Sequence, residues 1–472
     1  MITTIPELVD LRIPRADLRE TPWFRPLTIS ILNPPIEGDR VQEELLPQLI
    51  ESFRAQGHTV LEHADGNVNL MIGFYDVPDT DEPLTERIPE RSLPLVLTMM
   101  RDYKLAKRPD NLVLFLTIRE RPSAMQHKPA VELSRTAMAR AGSPKIIFLS
   151  GDRNTGDLWE STYTTMEGGH PSDKAEERDV VTMLRDRLIS MACARDVGAD
   201  FIIRKDAITQ TQWENTRTPE AIIDAGHRMD NLNLLPAPKS VAEYVSQELG
   251  NIYHRYLNMK GFSEGMLFAF DPDSDTLMVT ASGSWNVDKR ALKREEVVPI
   301  GGMDGHKIIV YAPEGISPKG PSVEAVEMYT LLMSVPKTRV SKKNGVWVAD
   351  PNSEKLVPMI RGGVHSHVGV VRIDEEWVED MGLNRRDYPY GFGCGTDLMK
   401  QLAQDAAARS KAIHDPNDER LYVRWQMLYH GETVVELWKE GVSDQPLQGL
   451  LDMYDPNRVG AIEYTWDHID QP

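Results

Sequence analysis

The sequence predicts an α/β protein: an N-terminal doubly wound, mostly parallel α/β domain, followed by a β-rich α+β domain with a mixed or antiparallel sheet. Three observations predict it. Strand and helix patterns alternate in the first half of the chain, a proline-containing break follows, and hairpin patterns dominate the second half. With 472 residues the chain is long enough for each domain to bury its own core.

The first half alternates short apolar runs with amphipathic segments. LTISILN at 27–33 is an apolar run closed by two prolines, which is typical of a buried strand. From 39 to 56 the apolar side chains recur at helical spacing, and Gly57 follows where a helix cap is expected. Further strands are predicted at 58–63, 69–75, 111–118, 145–150 and 199–208, and further helices at 131–142 and from about 173 to 195. This alternation favours a parallel sheet covered on both faces.

The second half follows the break LPAPKS, which predicts a linker at 236–240 between domains at 1–235 and 241–472. GMLFAFDPDSDTLMVTASGSW has apolar runs on both sides of a turn built of Asp, Pro and Ser, which predicts a hairpin. Similar strand patterns recur up to about residue 438, with helices expected at 241–258, 322–333 and 397–412. The basic run KTRVSKK is interpreted as a solvated loop.

Composition excludes several classes of function. The formal net charge of −19 argues against nonspecific binding of nucleic acid and against an anionic membrane surface. Two cysteines cannot build a disulfide framework or a Cys-based zinc cage. The sequence has no apolar run of the roughly 20 residues that span a bilayer and no signal-peptide core near its first residues, so a cytoplasmic protein is expected.

Common catalytic motifs are missing as well. The chain has no G-x-x-x-x-G-K-[ST] or H-E-x-x-H, which disfavours P-loop nucleoside triphosphatases and zincins. The turn after the first strand reads NPPIEGDR instead of G-x-G-x-x-G. No nicotinamide or flavin cofactor is therefore expected.

The stretch GGVHSHVGVVRID carries the strongest metal signal. In a strand, His365 and His367 share one face, and two imidazoles at that spacing reach one ion. The remaining donors to consider are His306 and Glu314, and one interpretation of the stretch is a site for a divalent metal of open identity. The alternative is a strand with two half-buried histidines bonded to backbone or water.

A glycine-rich turn, YPYGFGCGTDLMKQ, leads into a predicted helix and suggests an anion site. Backbone N–H groups at a helix start, helped by the helix dipole, bind phosphate or carboxylate. The predicted anion-binding residues are Gly391, Gly393, Gly395, Thr396, Arg385 and Arg386. Cys394 in the same turn is a candidate nucleophile, because the dipole favours a thiolate. The alternative is a tight turn capped by Thr396, with an inert cysteine.

Polar residues also follow the predicted parallel strands, where ligands of open α/β sheets gather. These candidates are Asn33, Asp76, Arg119, Arg121 and Asp152. The polar stretch 153–177 is interpreted as a long binding loop beside them. The alternative is a solvated sheet edge.

These signals favour an enzyme that acts on a small polar metabolite, a sugar or a hydroxy or carboxylic acid. It would be a metal-assisted isomerase, lyase or hydrolase, with Asp152 as acid/base. The first alternative is a non-catalytic ligand-binding protein or an oligomeric scaffold, because fold does not fix function. A nucleotide-using transferase with its phosphate at 391–397 is a further alternative. The expected partner is a small molecule, with neither nucleic acid nor membrane, and a homo-oligomer stays open.

Overall fold

The computed structural model describes the backbone of about three fifths of the chain. The described residues are 19, 24–63, 65, 67–76, 112–118, 144–164, 172–175, 179–193, 201–205, 207–231, 265–281, 292–305, 307–313, 316–366, 376–382, 397–427 and 431–453. They confirm the fold class: a mixed sheet with parallel strands, and a larger, mostly antiparallel sheet.

The first sheet has seven described strands in the order β2-β1-β3-β4-β5-β6-β7. They are β1 Thr28–Asn33, β2 Thr59–Val60, β3 Leu70–Asp76, β4 Leu112–Ile118, β5 Pro144–Gly151, β6 Leu158–Thr164 and β7 Ser172–Lys174, with helices α1 Arg40–Ala55 and α2 Val180–Cys193. The strands β1 to β5 run parallel, whereas β6 and β7 are antiparallel to their neighbours. The sequence thus predicted the parallel portion from its apolar runs.

Helix α1 shows how the local pattern builds this core. Val41, Leu45, Leu49 and Phe53 recur at helical spacing and are all buried. Asp39 caps the helix, since its side chain accepts a hydrogen bond from the backbone N–H of Gln42. The apolar face packs against α2 and the strands in one core, which fixes the loop between β1 and α1 above the sheet edge.

The second sheet has nine described strands in the order β17-β18-β19-β16-β9-β10-β11-β12-β8, and a three-stranded sheet has the order β14-β13-β15. The strands are β8 Phe201–Lys205, β9 Met266–Asp271, β10 Thr276–Thr280, β11 Val297–Asp304, β12 Lys307–Ala312, β13 Lys337–Lys343, β14 Val346–Ala349, β15 Leu356–Pro358, β16 Ile360–Ser366, β17 Val378–Gly382, β18 Tyr422–Met427 and β19 Gly431–Leu437. The helices are α3 Gln210–Asn215, α4 Thr218–Asn231, α5 Ala325–Met333, α6 Asp397–Arg409, α7 Lys411–His414 and α8 Gln448–Asp452.

Apolar cores form on both faces of this sheet. Alternate residues of β9 divide between them: Phe268 packs with α5 and α6, whereas Leu267 packs with α4 and α8. At one end of the sheet, the β9–β10 turn meets the junction between α3 and α4, where Thr216 and Thr218 bond to Asp271. None of the described helices is long and apolar enough to cross a membrane.

Three segments differ from the expectation. The stretch 153–177 contains β6 and β7 instead of one long loop, and α2 begins at Val180. LWESTYT lacks apolar alternation, but its Trp, Thr and Tyr residues favour a strand. KTRVSKK is strand β13, not a loop.

Strand β8, which the sequence groups with the first half of the chain, pairs with β12 of the second sheet. The linker at 236–240 lies outside the described residues, and the domain boundary stays a prediction.

Candidate ligand-binding site

The structure describes four of the residues that sequence analysis singled out: Asn33, Asp76, Asp152 and His365. The others lie outside the described residues: Arg119, Arg121, His306, Glu314, His367, Arg385, Arg386, Gly391, Gly393, Cys394, Gly395 and Thr396. The glycine turn and the complete metal set therefore stay predictions.

His365 is an interior residue of strand β16. Its side chain is fully buried, and its Nδ1 lies 2.8 Å from the Oγ1 of Thr433, which stands directly opposite on β19. This is the arrangement expected for a strand histidine bonded across the ladder. Within the described ranges no group of three His, Cys, Asp or Glu side chains is placed to hold a metal ion.

The described sequence candidates of the first sheet lie at or directly after strand ends. Asn33 and Asp76 are the last residues of β1 and β3. Asp152 follows β5, and its Oδ1 accepts a hydrogen bond of 2.8 Å from the backbone N–H of Asn154. Asp152 therefore shapes the turn after β5.

Two other side chains tie this edge together. The Gln42 amide donates to the carbonyl of Tyr75 at 3.0 Å and accepts from the N–H of Ile36 at 3.0 Å. Arg153 donates to the carbonyl of Thr117 at 2.6 Å, and its Nε lies 3.5 Å from the Asp39 carboxylate. The polar groups beyond these parallel strands thus hold the 34–39 loop against the sheet.

A cavity of about 640 Å³ lies at one end of the second sheet. Its walls come from the β9–β10 turn, the junction of α3 and α4, the tip of the β13–β14 hairpin, and the chain that follows β19. This volume falls within the range of about 300 to 1,000 Å³ that small-molecule sites occupy.

Two tryptophans with cations beside them line the cavity. The Lys342 ammonium lies 5.6 Å from the ring centroid of Trp347, and the Arg361 guanidinium lies 4.7 Å from that of Trp438. Both are within the distance at which a cation is attracted to an aromatic face. Aromatic surface and charge thus occur together on the cavity wall.

Asp271 fixes the carboxyl end of β9 at the cavity. The side chain is buried, and its Oδ1 accepts from the hydroxyls of Thr216 and Thr218, each at 2.8 Å. Its Oδ2 accepts from the N–H of Ser274 at 2.9 Å. These bonds join the β9–β10 turn to the start of α4, so that this part of the wall is rigid before any ligand arrives.

Arg361 and Glu436 form a buried ion pair behind another part of the wall. The two charged groups approach to 3.1 Å, and the side chains are 2% and 0% exposed. Arg361 also donates to the carbonyls of Ser443 and, at 2.7 Å, Asp444, which precede α8. Burial raises the pKa of Glu436 to about 7, although Arg361 lowers it.

Four side chains of the wall carry a buried N–H group that has no hydrogen-bond partner among the described residues. These groups are Nε of Arg294, Nε1 of Trp347, Nε of Arg361 and Nε1 of Trp438. Buried donors of this kind are normally satisfied by protein, water or a ligand.

Sequence analysis did not single out this site, although one local signal was present. KKNGVW contains an Asn-Gly pair, typical of a two-residue hairpin turn, and both residues have positive φ, 52° and 84°. That signal predicts the hairpin that carries Lys342 and Trp347. Asp273 is 69 residues away from Lys342, and no local pattern indicates their pairing.

The fold and the cavity define an α/β protein with a pocket of ligand-binding size on its antiparallel sheet. Comparison of the chain with protein-family models, curated proteins and solved structures finds no match.

Proposed function

We propose that this chain binds a small polar metabolite, of the sugar or hydroxy-acid class, in the cavity of the second sheet. One observation carries the proposal: aromatic surface, carboxylates and charged donors converge on a cavity of about 640 Å³. The many polar and charged side chains of this wall suit a ligand that itself carries hydrogen-bonding groups.

The chemistry of the wall supports a ligand that both donates and accepts hydrogen bonds. The accessible carboxylate of Asp273 accepts hydrogen bonds, whereas the accessible ammonium of Lys342 donates them. A tryptophan ring packs against the apolar parts of such a molecule. Because Asp271 and Arg361 are already held by other groups, little conformational entropy would be lost on binding.

The cavity supports ligand binding, whereas the metal-assisted enzyme that the sequence favours stays a prediction. His365 is buried and bonded to Thr433, and the other predicted ligands lie outside the described residues. A reaction on the bound metabolite, or a phosphate at 391–397, stays a prediction of the sequence.

The test uses the exposed cavity residue Gln445, whose substitution need not disturb the core. A panel of neutral sugars, cyclitols, sugar acids and hydroxy acids is screened for a rise in melting temperature, since a ligand of the folded state stabilises it. At least one compound should stabilise the wild type and Gln445→Ala but not Gln445→Trp, which fills the cavity. Equal stabilisation of all three proteins would place the site elsewhere, and no stabilisation of the wild type would contradict the proposal.

A further inference from the structure

The tip of the β13–β14 hairpin brings three different groups together in the cavity. Lys342 stands directly opposite Trp347 in the register of the two strands. Its Nζ donates to both carboxylate oxygens of Asp273, at 3.0 and 2.8 Å. All three side chains line the cavity.

This ion pair is accessible and has bonding capacity left. Its side chains are 44% and 38% exposed, whereas the Arg361–Glu436 pair is fully buried. An ammonium has three donors, and a carboxylate has about four lone-pair sites. Two donors and two acceptor sites are used between Lys342 and Asp273. Among the described residues, one donor and further acceptor sites therefore remain available side by side.

Adjacent hydroxyl groups match that arrangement better than a charged group does. Each hydroxyl donates one hydrogen bond and accepts others, so a vicinal diol can bond to the carboxylate and the ammonium at once. The pair has no net charge to attract an ion. The acidic side chains that line the whole cavity also outnumber the basic ones: Glu214, Glu220, Asp224, Asp271, Asp273 and Asp444 against Arg217, Arg294, Lys342 and Arg361. A dianion would be repelled by this surplus.

Trp347 supplies the apolar counterpart. The residue is half-buried, so part of its indole is exposed at the cavity, and its Nε1 has no partner in the part of the chain that the structure describes. An aromatic surface beside hydrogen-bonding groups suits a ring with an apolar face and a polar rim.

We infer that the ligand is a neutral polyhydroxylated ring, such as a pyranose or a cyclitol, an inference that rests on the proposed function. Its apolar face packs on Trp347, and adjacent hydroxyls bond to Lys342 and Asp273. This narrows the sugar or hydroxy-acid class to its neutral members and assigns specificity to the hairpin tip.

The test compares neutral and anionic probes on matched variants. Methyl α-D-glucopyranoside, myo-inositol, D-glucuronate and citrate are titrated into the full chain by calorimetry. At least one neutral probe should bind more tightly than both anions. Lys342→Met and Trp347→Ala should each weaken that binding at least tenfold, because each loses a direct contact with the ligand.

Lys355 provides the matched control. It pairs with Asp275 at 3.4 Å, on the same β9–β10 turn, and neither residue lines the cavity. Lys355→Met should change binding by less than twofold. Equal losses in Lys342→Met and Lys355→Met would mean that the pairs only support the hairpin, which would overturn the inference.

The remaining outcomes separate this inference from the proposed function. Binding of D-glucuronate or citrate alone, abolished by Gln445→Trp, would overturn the neutral ligand and leave the cavity as the site. No binding of any probe, together with no stabilisation across the wider panel, would overturn both. Hydrogen exchange of β13 and β14 in each variant shows whether the hairpin is intact. If the hairpin is unfolded in Trp347→Ala, Trp347→Phe replaces that variant, and it should keep most of the binding because it retains an aromatic ring.

Discussion

Beyond the parallel strands of the first sheet, polar side chains contact one another and the backbone, whereas at the end of the antiparallel sheet they surround a cavity. Gln42 and Arg153 engage main-chain carbonyls of neighbouring strands. Lys342 and Asp273, in contrast, remain more than one-third exposed at the cavity wall. Ligands of open α/β sheets gather at the carboxyl ends of parallel strands, but polar side chains there can instead hold a loop. A polar residue at such a strand end is therefore a candidate for ligand binding only after its hydrogen bonds within the protein are known.

Each region also buries a side chain whose pKa is shifted, and the two shifts have opposite consequences for stability as pH changes. The second sheet contains the Arg361–Glu436 pair, with both side chains inaccessible. The first sheet buries His58, which is neutral at ordinary pH because burial, and secondly the charge of Arg185, lower its pKa to about 4. The predictions below test this contrast, beginning with the largest expected effect.

Breaking the buried pair should produce the largest loss of stability. Arg361→Met leaves Glu436 without its cation and two loop carbonyls without their donor, at a cost of about 3 to 5 kcal/mol. Urea unfolding at pH 8 measures the loss, and hydrogen exchange should locate it in β16, β19 and α8.

A double variant tests the cause. Arg361→Met with Glu436→Gln removes both charges and should recover part of the loss, because no unpaired carboxylate is buried. The single variant should also lose less at pH 5, where Glu436 can protonate. A double variant as unstable as the single one would show that the loop contacts, not the charge, are responsible.

The second prediction concerns the pH dependence of the first sheet. Nδ1 of His58 accepts from the N–H of Leu27 at 3.0 Å, and its ring packs near Phe24 and Phe53. The folded-state pKa of about 4 lies below the ordinary 6.5, so the unfolded chain takes up the proton first as pH falls. The contribution of His58 to the free energy of unfolding is fully present above pH 6.5. It falls by up to about 3 kcal/mol as the pH is lowered toward 4.

The second sheet should respond in the opposite direction. The folded-state pKa of Glu436, raised from 4.5 to about 7, stabilises the fold below pH 4.5, and this contribution is lost as pH rises through 7. Hydrogen exchange between pH 4.5 and 7.5 should therefore show β1 and α1 weakening in acid relative to β16 and β19. His58→Gln should flatten the first trend and leave the second. Parallel trends in both sheets would contradict this difference.

These pairs mark what the sequence could and could not predict. Strand β1 and helix α1 follow from local periodicity, because alternation and helical spacing reflect which side chains face the core. The Arg361–Glu436 pair joins residues 75 apart, and the His58–Leu27 bond joins residues 31 apart. Such contacts depend on how strands are ordered in the sheet, which a local pattern does not contain. The Asn-Gly turn predicts the hairpin but not what its tip contacts.

The smallest effect is expected at the edge of the first sheet. Asp39→Ala removes the cap of α1, where Oδ1 accepts from the N–H of Gln42 at 3.2 Å, and it removes the carboxylate 3.5 Å from Arg153. Loss of such a cap costs about 1 kcal/mol. Urea unfolding measures the change, and hydrogen exchange should report it in the first turn of α1.

Asp39→Asn is the matched variant, since an asparagine side chain retains the capping oxygen and should retain most of the stability. Neither variant should alter exchange in β13 and β14 or the binding of a cavity ligand, because the edge of the first sheet serves to hold the 34–39 loop. A change in ligand binding in Asp39→Ala, with α1 still folded, would mean that this edge contributes to the site. The proposed difference between the two sheets would then be wrong, because the carboxyl ends of the parallel strands would also bind ligand.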